Sequence, residues 1–289
     1  MPRTRRASKK ASAPSNVAPA GAACDGSRVS ARWVMGGVAF EVAFEGDALA
    51  LGEEHLRFVS PPELARPLVV VKVDASVRSA GPREDPRRID AGPGWVRTAD
   101  AHVRWRREGH GRYAAEAELE APYGLSHMTT ALTGALVSAE GGVVLHAAAV
   151  VLEERAVLLI GPSGAGKTSA ACLCEGTRWL AKDRVALLPT SAGWRAWGMP
   201  GGDDITLPQA PNRPLPVAAI ARVRREDEAP SLRRLDPLRA LVALRESTQT
   251  AGSEPALDAP AALAEAVPVY ELRGRLDRPL TASLREALA

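Results

Sequence analysis

Between Val29 and about Glu120 apolar positions alternate with polar ones, the period of strands that bury one face. Val34, Val38, Phe40, Val42 and Phe44 follow it in part, and Trp95 to Trp105 and Arg112 to Leu119 alternate polar and apolar residues. Leu68-Val69-Val70-Val71-Lys72-Val73 is the unbroken apolar run of a buried strand. Pro61-Pro62, Gly81-Pro82 and Gly92-Pro93-Gly94 punctuate these segments. The pattern predicts an antiparallel, β-rich N-terminal domain over residues 28–125. Its histidines, His55, His102 and His110, are scattered, and strand or surface positions account for them.

Beyond residue 125 the period changes. Met128, Leu132 and Leu136 recur every four residues, which predicts a helix over Ser126–Val137 ended by Gly141-Gly142. Val143 to Leu152 reads as a strand, Glu153-Glu154 as a tight turn, and Arg155 to Ile160 as the returning strand of a hairpin. Further on, strands are expected at Trp194–Trp197, Pro216–Val223 and Val267–Leu272. Helices are expected at Leu235–Arg245, with Leu238, Leu241 and Val242 on one face, at Pro260–Ala266 and at Pro279–Ala289. No internal repeat is visible, and residues 126–289 read as one α/β domain.

The returning strand runs straight into Gly161-Pro162-Ser163-Gly164-Ala165-Gly166-Lys167-Thr168, and Thr168 to Cys174 reads as a short helix stopped by Gly176. The octapeptide satisfies G-x-x-x-x-G-K-[ST] in full. Glycines let backbone N–H groups turn inward around an anion, the lysine adds charge for β/γ-phosphates, and the threonine hydroxyl can hold Mg²⁺. Strand, glycine loop and helix together form a phosphate cradle. In doubly wound nucleotide-binding folds the loop's strand has parallel neighbours reached through helices. Here an antiparallel partner enters immediately before the loop, which argues against GTPase, helicase and transporter-ATPase folds. No Asn-Lys-x-Asp, no Leu-Ser-Gly-Gly and no apolar run ending in Asp-Glu is present.

Composition sharpens this picture modestly. Of the 289 residues 46% are hydrophobic, enough for a real core. The net charge of +3 comes from the N-terminus, where Arg3, Arg5, Arg6, Lys9 and Lys10 precede the first acid, Asp25. Without those five the acids outnumber the bases, so the folded body carries no nucleic-acid face. Residues 1–27 read as a disordered basic tail. Three cysteines give no disulfide framework: Cys24 falls in the tail, and Cys172 and Cys174 point to different faces of a helix. With no apolar run of membrane-spanning length and no signal-type apolar segment, a reduced, cytoplasmic setting away from membranes is expected.

One acid, Asp183, lies between two short strand-like pieces in Trp179–Leu188. His146-Ala147-Ala148-Ala149-Val150, the phosphate loop and Leu180-Ala181-Lys182-Asp183-Arg184-Val185, in that order, resemble the C-terminal kinase domain of HPr kinase/phosphorylase and its relatives. Pro214 to Ile220 and Val267 to Leu272 resemble its smaller members, so the likeness covers about residues 126–275. The N-terminal part resembles the variable region of HPr-kinase-like proteins found beside peptide-modification genes.

The resemblance implies the fold shared with ATP-dependent phosphoenolpyruvate carboxykinase: a mixed sheet with a hairpin before the phosphate loop. It also implies ATP–Mg²⁺-dependent phosphorylation of a Ser or Thr hydroxyl on a peptide, small protein or small molecule, and a homo-oligomer. Gly161 to Thr168 would hold the phosphates, with Lys167 on β/γ and Thr168 on Mg²⁺. His146 would face the phosphate site, its alternative being a core histidine. Asp183 would bind Mg²⁺ or act as base. The family usually has two adjacent acids where this chain has Lys182-Asp183, which opens a second reading, a nucleotide-binding module with impaired catalysis. Lys182 would neutralise phosphate, pair with an acid or stand exposed on a strand. Asp203 and Asp204 fit a turn, their alternative being an approach to the γ-phosphate. Glu271-Leu272-Arg273-Gly274 has the letters of the family's phosphorylase segment in the wrong place, so only the kinase direction is expected.

Overall fold

The computed structural model describes residues 23–25, 28–45, 57–59, 68–78, 89–120, 123–201, 207–249 and 257–286. It is a mixed α/β molecule built on two eight-stranded mixed sheets. The strands of the first are β1 (Ala23–Asp25), β2 (Arg28–Met35), β3 (Val38–Glu45), β4 (Val69–Arg78), β5 (Asp90–Gly92), β6 (Trp95–Arg97), β7 (Ala101–Gly109) and β8 (Arg112–Glu120). After helix α1 (Gly124–Ala139) come β9 (Val143–Leu152), β10 (Arg155–Ile160), helix α2 (Lys167–Cys172), β11 (Arg178–Ala181), β12 (Arg184–Thr190), β13 (Gly193–Met199), β14 (Leu215–Arg225) and β15 (Ser231–Arg234). Helices α3 (Pro237–Ser247) and α4 (Asp258–Ala266), strand β16 (Val269–Gly274) and helix α5 (Thr281–Glu286) complete it. Among the described residues, no helix is long and apolar enough to cross a membrane.

The first sheet has the order β1-β2-β3-β4-β8-β7-β6-β5. It is not purely antiparallel, as the sequence pattern suggested: β4 runs parallel to both β3 and β8. Alternation fixes which face is buried but not the direction of a neighbour, so this departure carries no local signal. The alternating stretch from Trp95 to Trp105 is a hairpin, β6 and β7, whose turn is closed by the Thr98 N–H donating to the Ala101 carbonyl at 2.7 Å. β1 also lies inside the stretch expected to be a disordered tail. Residues 1–22, 26 and 27, the remainder of that tail, lie outside the described residues, as do His55, Asp203 and Asp204.

The alternation does its work on one face. Phe40, Phe44, Val71, Val73, Val103, Tyr113 and Leu119 turn inward onto α1, whose Leu125, Met128, Leu132 and Leu136 are fully buried. Each such side chain contributes about 1.5–3 kcal/mol. The same core takes in Ala148, Val150, Val157 and Leu159, so α1 is clasped between the two sheets. The opposite face of the second sheet, with Leu145, Ala147, Ala149, Leu158 and Ile160, packs on α3 and α4. Covered on both sides, β9 and β10 read as unbroken apolar runs rather than alternations.

The expected hairpin is present. β9 and β10 pair antiparallel from Arg155↔Leu152 to Ile160↔Ala147. Its turn residues Glu153 and Glu154 both have left-handed backbones, φ 48° and 59°, as a tight two-residue hairpin turn requires. On its other edge β10 pairs in parallel with β14, which pairs in parallel with β16. β9 continues to β12, β12 to β13, and β13 returns to β14, so these pairings close a circuit of five strands around the phosphate loop's strand.

Helix α3 corrects one expectation. Leu238 is 71% exposed and Val242 43%, while Ala240, Ala243, Leu244 and Ser247 are buried. The face turned to β9 and β10 is that of Ala240, Ala243, Leu244 and Ser247, offset around the helix from the Leu238–Val242 stripe.

Candidate functional site

The phosphate-type loop leaves β10 at Gly161 and enters α2 at Lys167. Gly161, Gly164 and Gly166 take φ of 143°, 79° and 92°, conformations that L side chains rarely adopt. A Cβ on Gly166 would also lie 2.5 Å from Leu276, because the segment after β16 packs against the loop. Pro162, Ser163 and Gly164 face solvent, and Thr168 is partly exposed on the first turn of α2. Lys167 is buried, and its ammonium donates to the carbonyl oxygens of Gly161 (3.0 Å) and Pro162 (3.1 Å). Burial lowers its pKa, and the carboxylate of Asp183 opposes that shift.

The hairpin register brings His146 to this loop. Ile160 pairs with Ala147, so His146 is the β9 residue level with Gly161. On the other edge of β9, Asp183 sits at the break between β11 and β12, where its carbonyl accepts the Ala147 N–H at 2.9 Å. Asp183 Oδ1 then lies 3.4 Å from His146 Nε2. The sequence thus left His146 between a core role and a site role, and the structure puts it against Asp183 with a third of its side chain open. Its pKa is lowered by burial first; Asp183 pulls it up, and the charges of Lys167 and Arg184 push it down. The electrostatic coupling of Lys167 and His146 to Asp183 brings all three expected side chains into one site.

Three residues joined the site without being singled out from sequence. Gln249, just past α3, is anchored by its N–H donating to the Val144 carbonyl at 2.8 Å, and its Nε2 lies 3.4 Å from His146 Nδ1. With that amide donating, the neutral imidazole keeps its proton on Nε2 and directs it at Asp183. Arg184, level with His146 across β12 and β9, brings its Nε within 3.6 Å of Asp183 Oδ2. Gly201, after β13, covers both: a Cβ there would lie 3.2 Å from Asp183 Oδ2 and 3.7 Å from Arg184 Nε. Arg184 follows Asp183 directly and was within reach of sequence reasoning; Gln249 and Gly201 arrive by tertiary packing.

Lys182 is not an exposed strand residue. It is 8% exposed, and its ammonium sits over the Trp179 ring, 5.0 Å from the centroid. Glu271-Leu272-Arg273-Gly274 is strand β16, where buried Glu271 accepts from Arg273 Nε at 2.5 Å and lies 3.3 Å from Arg224 Nε. That is a structural ion cluster.

Among the described residues no group of three or more His, Cys, Asp or Glu is placed to hold a metal ion. Thr168 and Asp183 offer a hydroxyl and a carboxylate, hard oxygen donors. Such a sparse set suits Mg²⁺ that arrives with phosphate oxygens and keeps its waters, and it does not suit a resident metal cage. Beyond Gln249 lies a cleft of about 630 Å³ between the two sheets, lined by Gly94, Trp105, Ala135, Val144, Gln249 and Pro260 among others. Comparison with protein-family models and with curated proteins finds no match to this chain.

Proposed function

We propose that this chain is an ATP- and Mg²⁺-dependent kinase of the HPr kinase/phosphoenolpyruvate carboxykinase type, which phosphorylates a Ser or Thr hydroxyl on a peptide, small protein or small molecule. The observation that carries the reading is the meeting of His146 and Asp183 with Lys167 beside a complete phosphate loop. A loop that only bound phosphate would need no oriented carboxylate there.

The residues divide the work. Backbone N–H groups from Gly161 to Thr168 receive the phosphates, and Lys167 exchanges its two carbonyl partners for phosphate oxygens. Mg²⁺, when held by Thr168 and Asp183, supplies charge neutralisation for those oxygens. His146, braced by Gln249, fixes the Asp183 carboxylate. The acceptor hydroxyl gives its proton to Asp183 as its oxygen bonds to the terminal phosphorus, and the bond to the leaving ADP oxygen breaks. Positioning and electrostatics dominate such a transfer, so one oriented acid suffices. The cleft beside Gln249 supports an acceptor larger than a free amino acid, with the N-terminal sheet as its second wall.

Transfer of label from γ-labelled ATP to Ser- and Thr-containing peptides, abolished in Lys167→Ala, is the expected result. A protein that binds ATP yet labels no acceptor instead fits the second reading, a nucleotide-binding module. The observation favouring that alternative is Lys182, an ammonium committed to Trp179 where related kinases keep an acid.

A further inference from the structure

Several arginines in and beside the second sheet are committed to carboxylates. Arg222 pairs with Glu246, Arg224 and Arg273 with Glu271, and Arg178 and Arg213 with Glu154. Arg184 differs. Its carboxylate neighbour, Asp183, is shared with His146, and at 3.6 Å the approach is too long for a hydrogen bond. Its Nε is fully buried and has no hydrogen-bond partner among the described residues. Leaving a buried charged donor unpaired is costly, which calls for a ligand or a function. About a third of the side chain remains open to solvent.

Charge points the same way. Lys167 and Arg184 bring two cations to one carboxylate, so the site is complementary to an anion. A guanidinium is always charged and presents a planar fork that matches two phosphate oxygens. Phosphates held by the loop itself are served by backbone N–H groups and Lys167. A phosphate extending past Lys167 toward Asp183 meets Arg184 instead.

We infer that Arg184 is an anion-contacting residue that grips the terminal phosphate of a bound nucleoside triphosphate, the group farthest from the loop's glycines and nearest Asp183. This rests on the reading of the loop as a nucleotide site. Arg184 therefore separates triphosphate from diphosphate, and it stabilises the charge that spreads over the phosphoryl oxygens during transfer.

The test is calorimetric titration of the full chain with ATP, ADP and inorganic pyrophosphate in the presence of Mg²⁺, for wild type, Arg184→Gln, Arg184→Lys and Lys167→Ala. Arg184→Gln is expected to weaken ATP about 10- to 100-fold and ADP less than about threefold. Arg184→Lys, which keeps the charge but loses the fork, should recover part of the difference. Lys167→Ala should weaken both nucleotides. Equal weakening of ATP and ADP by Arg184→Gln, or no weakening, overturns the inference. If Arg184→Gln fails to fold by circular dichroism, the ATP-to-ADP ratio of Arg184→Lys decides in its place. If wild type binds neither nucleotide, the kinase reading falls by itself. Arg184 is then judged on pyrophosphate: loss of its binding in the variant upholds the anion contact, and unchanged or undetectable binding overturns it.

Discussion

The ammonium of Lys167 donates to the carbonyl oxygen of Gly161 at 3.0 Å, so the residue expected to hold phosphate braces the loop that would receive it. Its second bond, to Pro162, completes the brace. A phosphate bound there would have to compete with two internal acceptors, with its charge in its favour. Lys167→Ala removes both roles. Charged hydrogen bonds of this kind are worth about 1.5–3 kcal/mol each, so ATP affinity should fall about 100-fold or more. Isothermal titration checks this, and undiminished affinity would move the phosphate site elsewhere.

Asp183→Asn keeps the shape of the side chain and removes the proton acceptor. The transfer rate should fall about 10²- to 10⁴-fold, and Mg²⁺-dependent ATP binding should weaken with the loss of a carboxylate ligand. His146→Gln should cost less, because His146 acts by orienting Asp183. Rapid-quench measurement of label transfer would separate the two, and a smaller effect from Asp183→Asn than from His146→Gln would reverse their roles.

Gly201 has φ 130° and lies against the Asp183 carboxylate. Gly201→Ala would force a Cβ into a rarely populated backbone region, at about 1–3 kcal/mol, and press it on Oδ2. Both the denaturation midpoint and the transfer rate should drop. A variant that matches wild type in both would show that this segment does not cover the site.

Tyr113 gives a pH signature. Burial, then the Glu140 carboxylate 2.5 Å from its hydroxyl, raise its pKa from 10.0 to about 12. The neutral phenol is favoured in the fold, while the unfolded chain ionises near its ordinary value. Its contribution to stability is therefore fully present below about pH 10 and is lost as pH rises through about 12. Urea unfolding at pH 8, 10 and 11 should show a steeper alkaline loss for wild type than for Tyr113→Phe. Parallel pH dependences would place Tyr113 outside this linkage.

Glu153 offers a stabilising change. A left-handed backbone costs a side-chain-bearing residue about 1–2 kcal/mol, and asparagine tolerates it better. The exposed ion pair with Arg155 that would be lost is worth less than about 1 kcal/mol. Glu153→Asn should raise the melting temperature by a few degrees, which a thermal scan can read.

The hairpin, the loop and the α1 stripe were legible because each is local. Glu153-Glu154 between two apolar runs signals a turn, and Met128, Leu132 and Leu136 state their period outright. The parallel placement of β4 was not legible, because nothing in Val69–Arg78 records which strands flank it. Helix α3 misled for a related reason: Leu238 and Val242 form a stripe, but what a stripe faces is decided by the partner surface, and here the buried face is that of Ala240, Ala243 and Leu244. In the site, Lys167 was legible in the loop's own pattern, while His146 and Asp183 were marked by the resemblance of the segments that carry them. Gln249 reaches His146 from 103 positions away, a separation across which no periodicity extends.

The five-strand circuit bears on when the protein becomes competent during synthesis. The hairpin that carries the phosphate loop joins neighbours in sequence, a local contact of the kind that is fast to form. The loop's other wall is β14, where Val223 backs Gly161, and it emerges some sixty residues later. Nucleotide capture by a nascent chain should therefore begin only after β14 has emerged and closed the circuit. A bound nucleotide would then act as a latch on the finished ring, holding together strands that local forces alone leave open.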